Sequence, residues 1–200
     1  MQFKCMAALA AAMAVSACAN WKTDYPSTLS EDVTENWHID AVNIVVADDL
    51  TATEDNGFFP DADIVWHGEL PGDRHAQVEA ILLEAVTAGS ASLTGAQHVE
   101  LDVRLIEFHA VTPRAVASAP EAVHNIQIVM QAHDTFTKEI IAGPDLVVAQ
   151  FEALTGAAAA VAAAEGRGQK QRIINHLTQV TAGWLAAGPD VRREFTSLGR

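Results

Sequence analysis

Val99-Glu100-Leu101-Asp102-Val103-Arg104-Leu105-Ile106-Glu107-Phe108 is the stretch on which the fold turns. Val99, Leu101, Val103 and Leu105 alternate with Glu100, Asp102 and Arg104, the period of two expected of a strand with one dry and one wet face. The apolar positions then switch to Ile106 and Phe108, a phase change that predicts a β-bulge. Ile126, Ile128 and Met130 alternate with Gln127 and Gln131, which predicts a half-buried partner strand, antiparallel to the first across the connection Thr112 to His124. Lys138 to Ala142 and Leu146 to Phe151 continue the meander, with Asp134 to Thr137 as the turn.

Helical periods flank this block. Pro71-Gly72-Asp73 introduces a helix with Asp73 placed as N-cap. Val78, Ile81, Leu82, Ala85 and Val86 follow a three-four spacing, and Gly89 is placed as the stop. A second amphipathic helix is predicted over 169–187, with Ile173, Ile174, Leu177, Val180, Trp184 and Leu185 on one face and Gly188-Pro189 at its end. Upstream, Val42, Ile44 and Val46 predict a strand at about 40–47, and Ile64 and Trp66 a short one at about 63–68. The Phe58-Phe59 pair between them is expected to fold back onto the core. The near-pure alanine run Ala157 to Ala164 is read as a short helix between flanking glycines; it is too short to hold alone and must pack on something. This order gives an α+β fold: a mostly antiparallel sheet with two amphipathic helices packed on one face.

The N-terminus has the layout of an export signal: Lys4, an apolar core from about Met6 to Val15, then Ser16 and Ala17. The core is shorter than the roughly 17–25 residues of a membrane span. Val15-Ser16-Ala17-Cys18 resembles the lipobox of bacterial lipoproteins. That resemblance implies lipid on the Cys18 sulfur and cleavage after Ala17, with the membrane as a partner through the lipid. Stable anchoring takes more than one acyl chain. Ala19, rather than Asp, follows the cysteine, and by resemblance to enterobacterial sorting this favours the outer membrane, with the domain facing the periplasm. The expected organisation is a signal peptide over 1–17, lipidated Cys18 and a polar tether over 18–36, one domain over 37–188, and a loose tail over 189–200. Trp21 and Tyr25 are expected either at the headgroup level or docked on the domain.

Without residues 1–17 the chain keeps eleven basic against 26 acidic side chains, a formal −15. So acidic a domain argues against nucleic acid, which needs basic patches to displace counterions, and against flat adsorption on anionic lipid. The cysteines are Cys5, inside the signal, and Cys18, so the exported domain has neither free thiol nor disulfide.

The Asp63-Ile64-Val65-Trp66 strand, Phe108-His109 closing a long strand, and Gln169-Lys170-Gln171-Arg172-Ile173 opening the last helix resemble a family of uncharacterised periplasmic lipoproteins. More distantly they resemble the small α/β domains of envelope-assembly lipoproteins. The resemblance implies an envelope protein partner and brings no catalytic residues. Nothing in the residues points to a cofactor. The histidines are scattered, without the spacing of a zinc peptidase, although His98, His109, His124 and His133 flank the long strands and could converge at sheet ends on a metal. His67 and His75 bracket Asp73 in one turn, too common an arrangement to mark a site. Asp48-Asp49 and Asp61/Asp63 are carboxylate pairs of the kind an acidic chain carries by chance, and Asp55-Asn56-Gly57 is a fragment of a calcium loop without its terminal Glu. There is no GxSxG elbow. Gly166-Arg167-Gly168 before the last helix lacks the Walker pattern and supports at most a helix cap that faces an anion. The expected function is a non-enzymatic, lipid-tethered binding or accessory protein, the alternatives being a ligand- or metal-binding module and, third, a hydrolase.

Overall fold

A computed structural model describes residues 22–26 and 29–193; the expected signal segment, Cys18 and Trp21 lie outside the described residues. The long strand is β4, Gln97–His109, and it sits centrally in a six-stranded mixed sheet. β5 (Val123–Asp134) and β6 (Ile140–Glu152) follow it antiparallel, so most of the sheet is antiparallel, as expected. The other edge of β4 is shared. β1 (Trp37–Val45) runs parallel to its first two thirds, and β3 (Ile64–Val65), itself parallel to β2 (Ala52–Thr53), takes the end at Phe108 and His109. Parallel neighbours need a crossover. It is supplied by α2 (Arg74–Ser90), which packs with α5 (Gln169–Trp184) on the inner face of the sheet.

The expected bulge is present: register slips between Leu105 and Glu107, Ile106 is the extra residue, and its side chain turns to solvent while Phe108 is wholly buried. The two strands expected at 138–142 and 146–151 are one, β6, interrupted by a bulge rather than a turn. Gly143 there has φ +76°, and a Cβ on it would lie 2.5 Å from the Met130 carbonyl oxygen. The strand expected at 63–68 shrinks to two residues because Trp66 leaves the ladder to pack edge-on against Phe108. Phe58 does not fold into the core but lies under the Arg114 guanidinium, and Phe59 is 96% exposed.

Asp73 caps α2 by accepting the Ala76 N–H. Gly89 is not the stop, since α2 runs through it to Ser90. It lies where the two helices meet: a Cβ there would come 2.6 Å from both the Thr178 carbonyl oxygen and the Thr181 Cβ. α5 likewise ends before Gly188-Pro189. Ala186 takes φ +52°, its N–H donates to the Gly183 carbonyl, and the Ala187 N–H reaches back to Ala182, which closes the helix end as a Schellman motif.

Both ends of the expected domain extend further than the sequence suggests. Asp24 forms an antiparallel bridge with Val148 on the free edge of β6, and Tyr25 is buried in the core. A four-residue helix α1 (Glu31–Thr34) follows, so the polar tether expected over 18–36 is in large part docked. The Tyr25 hydroxyl donates to Asp190, Arg192 stacks over its ring and donates to its carbonyl, and Val191 is buried. One aromatic among polar residues carries no periodicity, which is why this clasp does not show in the pattern. Short helices α3 (Pro113–Ser118) and α4 (Gly156–Ala164) complete the fold. Among the described residues no helix is long and apolar enough to cross a membrane.

Two substitutions with opposite signs test the helix contacts. Gly89→Ala adds helix propensity of roughly 1 kcal/mol but forces α2 off α5, and is expected to destabilise by a net ~1–3 kcal/mol. Ala186→Gly removes ~1–2 kcal/mol of left-handed strain against ~0.4–1 kcal/mol of added unfolded-state entropy, and should stabilise slightly. Urea unfolding midpoints at constant slope check both.

Candidate functional site

Beyond β6 the chain bends through buried Ala153 and half-buried Leu154 into α4, the alanine run. Ala159 and Ala162 are buried, and α4 packs beside α3. Thr112 caps α3 by accepting the Ala115 N–H, and its hydroxyl donates to the Gly57 carbonyl. α4 ends at Gly166, φ +73°, and the chain reverses through Arg167 and Gly168 into α5. Between α3, α4 and the first turn of α5 a partly open cavity of about 250 Å³ remains. Its walls are small and apolar, built from the α4 alanines with Val116 and Leu154; Arg167, Gln169 and Arg172 supply its polar groups.

The polar groups behind this wall are linked. The Gln169 side-chain amide donates to the Leu154 carbonyl at 2.7 Å, which leaves its oxygen to accept from His124 Nε2 at 2.9 Å. His124 is wholly buried, and its Nδ1 has no partner among the described residues. Phe151 lies 4.8 Å from the His124 ring and stacks at 4.2 Å on His176, whose Nε2 meets the Thr23 hydroxyl at 2.9 Å. Burial, reinforced by the Arg172 charge, pushes both histidines down to about 4 and keeps them neutral. Arg172 donates through Nη2 to the Glu152 carbonyl at 2.8 Å; its Nε is buried without a partner, and it forms no ion pair among the described residues. Burial lowers its pKa, the Glu152 carboxylate opposes that, and Arg167 adds to it. Arg167 itself pairs with Glu165, and Lys170 with Glu69 at 2.9 Å. Among the described residues no side chain caps the N-terminus of α5.

A family model matches residues 37–200. The chain belongs to DUF6778, a family of unknown function. No curated protein matches it. Two solved structures of PelC from Paraburkholderia phytofirmans, both dodecamers, are similar at a TM-score of 0.40. One, a point variant in space group C2, shares 11% identity over 82% of this chain and 98% of its own; the other, in space group P6, shares 8% over 84% and 99%.

In this DUF6778 chain the histidines named from sequence do not converge. His98 pairs with Asp40 and His133 with Glu100 and Asp102 at one end of the open sheet face, while His109 meets Glu107 and the Ala62 carbonyl at the other. His124 points into the opposite face. Among the described residues no three His, Cys, Asp or Glu side chains gather as a metal site requires. Asp63 latches its loop by accepting from the Thr51 N–H and hydroxyl, and Asp55 and Asn56 accept from Gly57 and Arg114 amides, so these acids act as turn residues. Gly166-Arg167-Gly168 and the alanine run do come together, as two sides of one cavity. The sequence names His124 as a metal candidate and Arg172 within a helix-opening motif, but neither the His124–Phe151–His176 stack nor the place of Arg172 in a cavity wall leaves a local trace.

The two histidines fix a pH signature. Unfolded, each takes its proton near its ordinary pKa of 6.5; folded, each waits until about 4. The unfolded state therefore binds more protons between these values, so the two histidines add no pH dependence above about pH 7 and lower stability as pH drops, by roughly 1.4 kcal/mol per pH unit per histidine. His176→Phe, which keeps a ring against Phe151, should make the fall between pH 6.5 and 4.5 shallower in urea unfolding series run beside the wild type.

Proposed function

We propose that this chain is a lipid-anchored envelope protein that works by binding rather than by catalysis. Cys18 carries the lipid, and the domain faces the periplasm, with the outer membrane favoured. The observation that carries the reading is the docked N-terminal segment. Asp24 and Val148 exchange both backbone hydrogen bonds at 2.8 Å, the Thr23 hydroxyl contacts His176, and Tyr25 enters the core. From Lys22 back to Cys18 are four residue steps, which span at most about 14 Å at roughly 3.3–3.6 Å each. An anchor at Cys18 therefore holds the domain against the bilayer instead of letting it range on an eighteen-residue tether.

The same segment runs antiparallel to β6, so towards Cys18 it heads for Glu152 and Leu154, the end of the molecule that carries the cavity. A binding site and the anchor thus share one end. The formal −15 of the domain keeps the rest of its surface off anionic lipid and leaves it open to an envelope protein partner.

Cys18→Ala is expected to block lipid attachment and leave the precursor uncleaved, read by mass spectrometry and by flotation of membranes. Processing and membrane retention that survive the substitution would remove the anchor from this reading. Tyr25→Ala should undock the segment and speed tryptic release of the wild-type-lipidated domain from membranes several-fold, since Lys22 is exposed and only the docking protects the bond after it. Affinity capture of the lipidated protein from detergent-solubilised envelopes should recover a reproducible partner.

A further inference from the structure

The cavity between α3, α4 and α5 combines two features that are costly apart. Its walls are alanine, valine and leucine, which hold water poorly. Yet a guanidinium stands in the same wall, with one buried donor unpartnered and no ion pair among the described residues. Arg172 is half-buried there, and burial lowers its pKa while the Glu152 carboxylate only partly offsets that, so an anion brought to the guanidinium is favoured. Arg172 spends one Nη2 donor on the Glu152 carbonyl; its Nε is sealed from solvent, so what it offers the cavity is its charge and its remaining terminal N–H groups. The uncapped N-terminus of α5 adds its partial positive charge at the same place, and Arg167 stands at the rim, 61% exposed. The acids nearby do not neutralise Arg172: Glu165 is engaged with Arg167, and Glu152 comes near without forming an ion pair. The volume, about 250 Å³, lies below the ≈300 Å³ at which pockets enclose drug-sized ligands, room for one short chain and not for two.

We propose that this cavity binds a single-chain anionic amphiphile, its tail among the α4 alanines and its acid group on Arg172. This deepens the binding reading above and rests on it; the bound amphiphile is a different molecule from the lipid on Cys18. A planar guanidinium suits carboxylate and phosphate alike, and a site at the anchored end of the molecule meets such amphiphiles at the bilayer.

The test uses the full-length protein in phosphatidylcholine nanodiscs, with labelled octanoate as probe, equilibrium dialysis as readout and empty nanodiscs subtracted. Saturable binding of one octanoate per chain is expected. Octyl phosphate should compete, octanol at least tenfold more weakly, and octylamine not at all. Arg172→Gln should weaken octanoate at least tenfold, in line with the loss of a charge-assisted hydrogen bond. Ala160→Phe, which fills the cavity from an exposed wall position without touching charge, should abolish binding and leave the melting temperature unchanged. Binding no better than to empty nanodiscs, equal competition by octylamine, or full affinity in Ala160→Phe overturns the proposal. Flotation of the same preparation reads the anchor separately, so a failed anchor and a failed cavity give different results.

Discussion

β4 has to satisfy two edges and bury one face, and the rest of the molecule is arranged around that demand. Every N–H and C=O along it needs a partner. β5 supplies one edge over its whole length, but β1 covers the other only as far as Arg104. The two-residue strand β3 completes it: Phe108 donates to the Asp63 carbonyl and Ala110 to that of Val65. The Ile106 bulge makes this possible. Were Ile106 paired in a regular ladder, Phe108 would face water; with Ile106 bulged out, the ring turns inward and meets Trp66 edge-on at 5.8 Å. Burying each such side chain contributes roughly 1.5–3 kcal/mol, so a one-residue insertion places the β3 loop and the start of α2 together. Arg74, nearly buried at the first turn of α2, then holds that loop by a forked pair with Glu54 and by bonds to Gln77 and the Leu70 carbonyl.

The open face of the same sheet carries a linked set of ionisable groups. Asp40 accepts from His98 and Thr135, Glu100 from Lys138 and His133, and Glu107 from Asn125 and Gln127. Hydrogen bonds from these partners hold Asp40 and Glu100 below the usual carboxylate range. The pairs with an exposed partner, Lys138–Glu100 and His98–Asp40, contribute little net free energy. Their effect is to keep a broad strand surface soluble, and they account for the acids and histidines that the sequence scatters along alternate positions.

Alternation and helical spacing were enough to read β4, β5 and the buried stripes of α2 and α5, because each follows from one element's own period. What stayed illegible depends on pairs of elements. Gly89 looks like a helix stop by type, and only the presence of α5 against it shows that its missing Cβ is the point. Lys138 to Ala142 and Leu146 to Phe151 look like two strands, but pairing with β5 across Gly143-Pro144 makes them one strand with a bulge. β1 reads as a strand without revealing that it lies parallel to β4, since register between distant segments leaves no local trace. At the candidate site, Gly166-Arg167-Gly168 was visible as a capping signal and the alanine run as a helix in need of a neighbour. That each answers the other, with Arg172 between them, needed the tertiary fold.

The two ends of the chain meet on the same structure. Tyr25 puts its ring under Arg192 and its hydroxyl on Asp190, and burial together with the Asp190 charge pushes the phenol up to about 12 while Arg192 holds Asp190 well below the usual carboxylate range. Neither partner changes charge between pH 4 and 9, so the clasp is constant where the histidine stack beside Thr23 is not. The N-terminal segment is therefore fastened twice: at Tyr25 by a contact indifferent to pH, and at Thr23 by a neutral His176 that acid would charge. His176 stacks on Phe151, Phe151 leads through His124 to Gln169, and Gln169 forms part of the cavity wall. One buried stack thus lies between the docked N-terminal segment and the cavity wall, and touches both through His176 and Gln169.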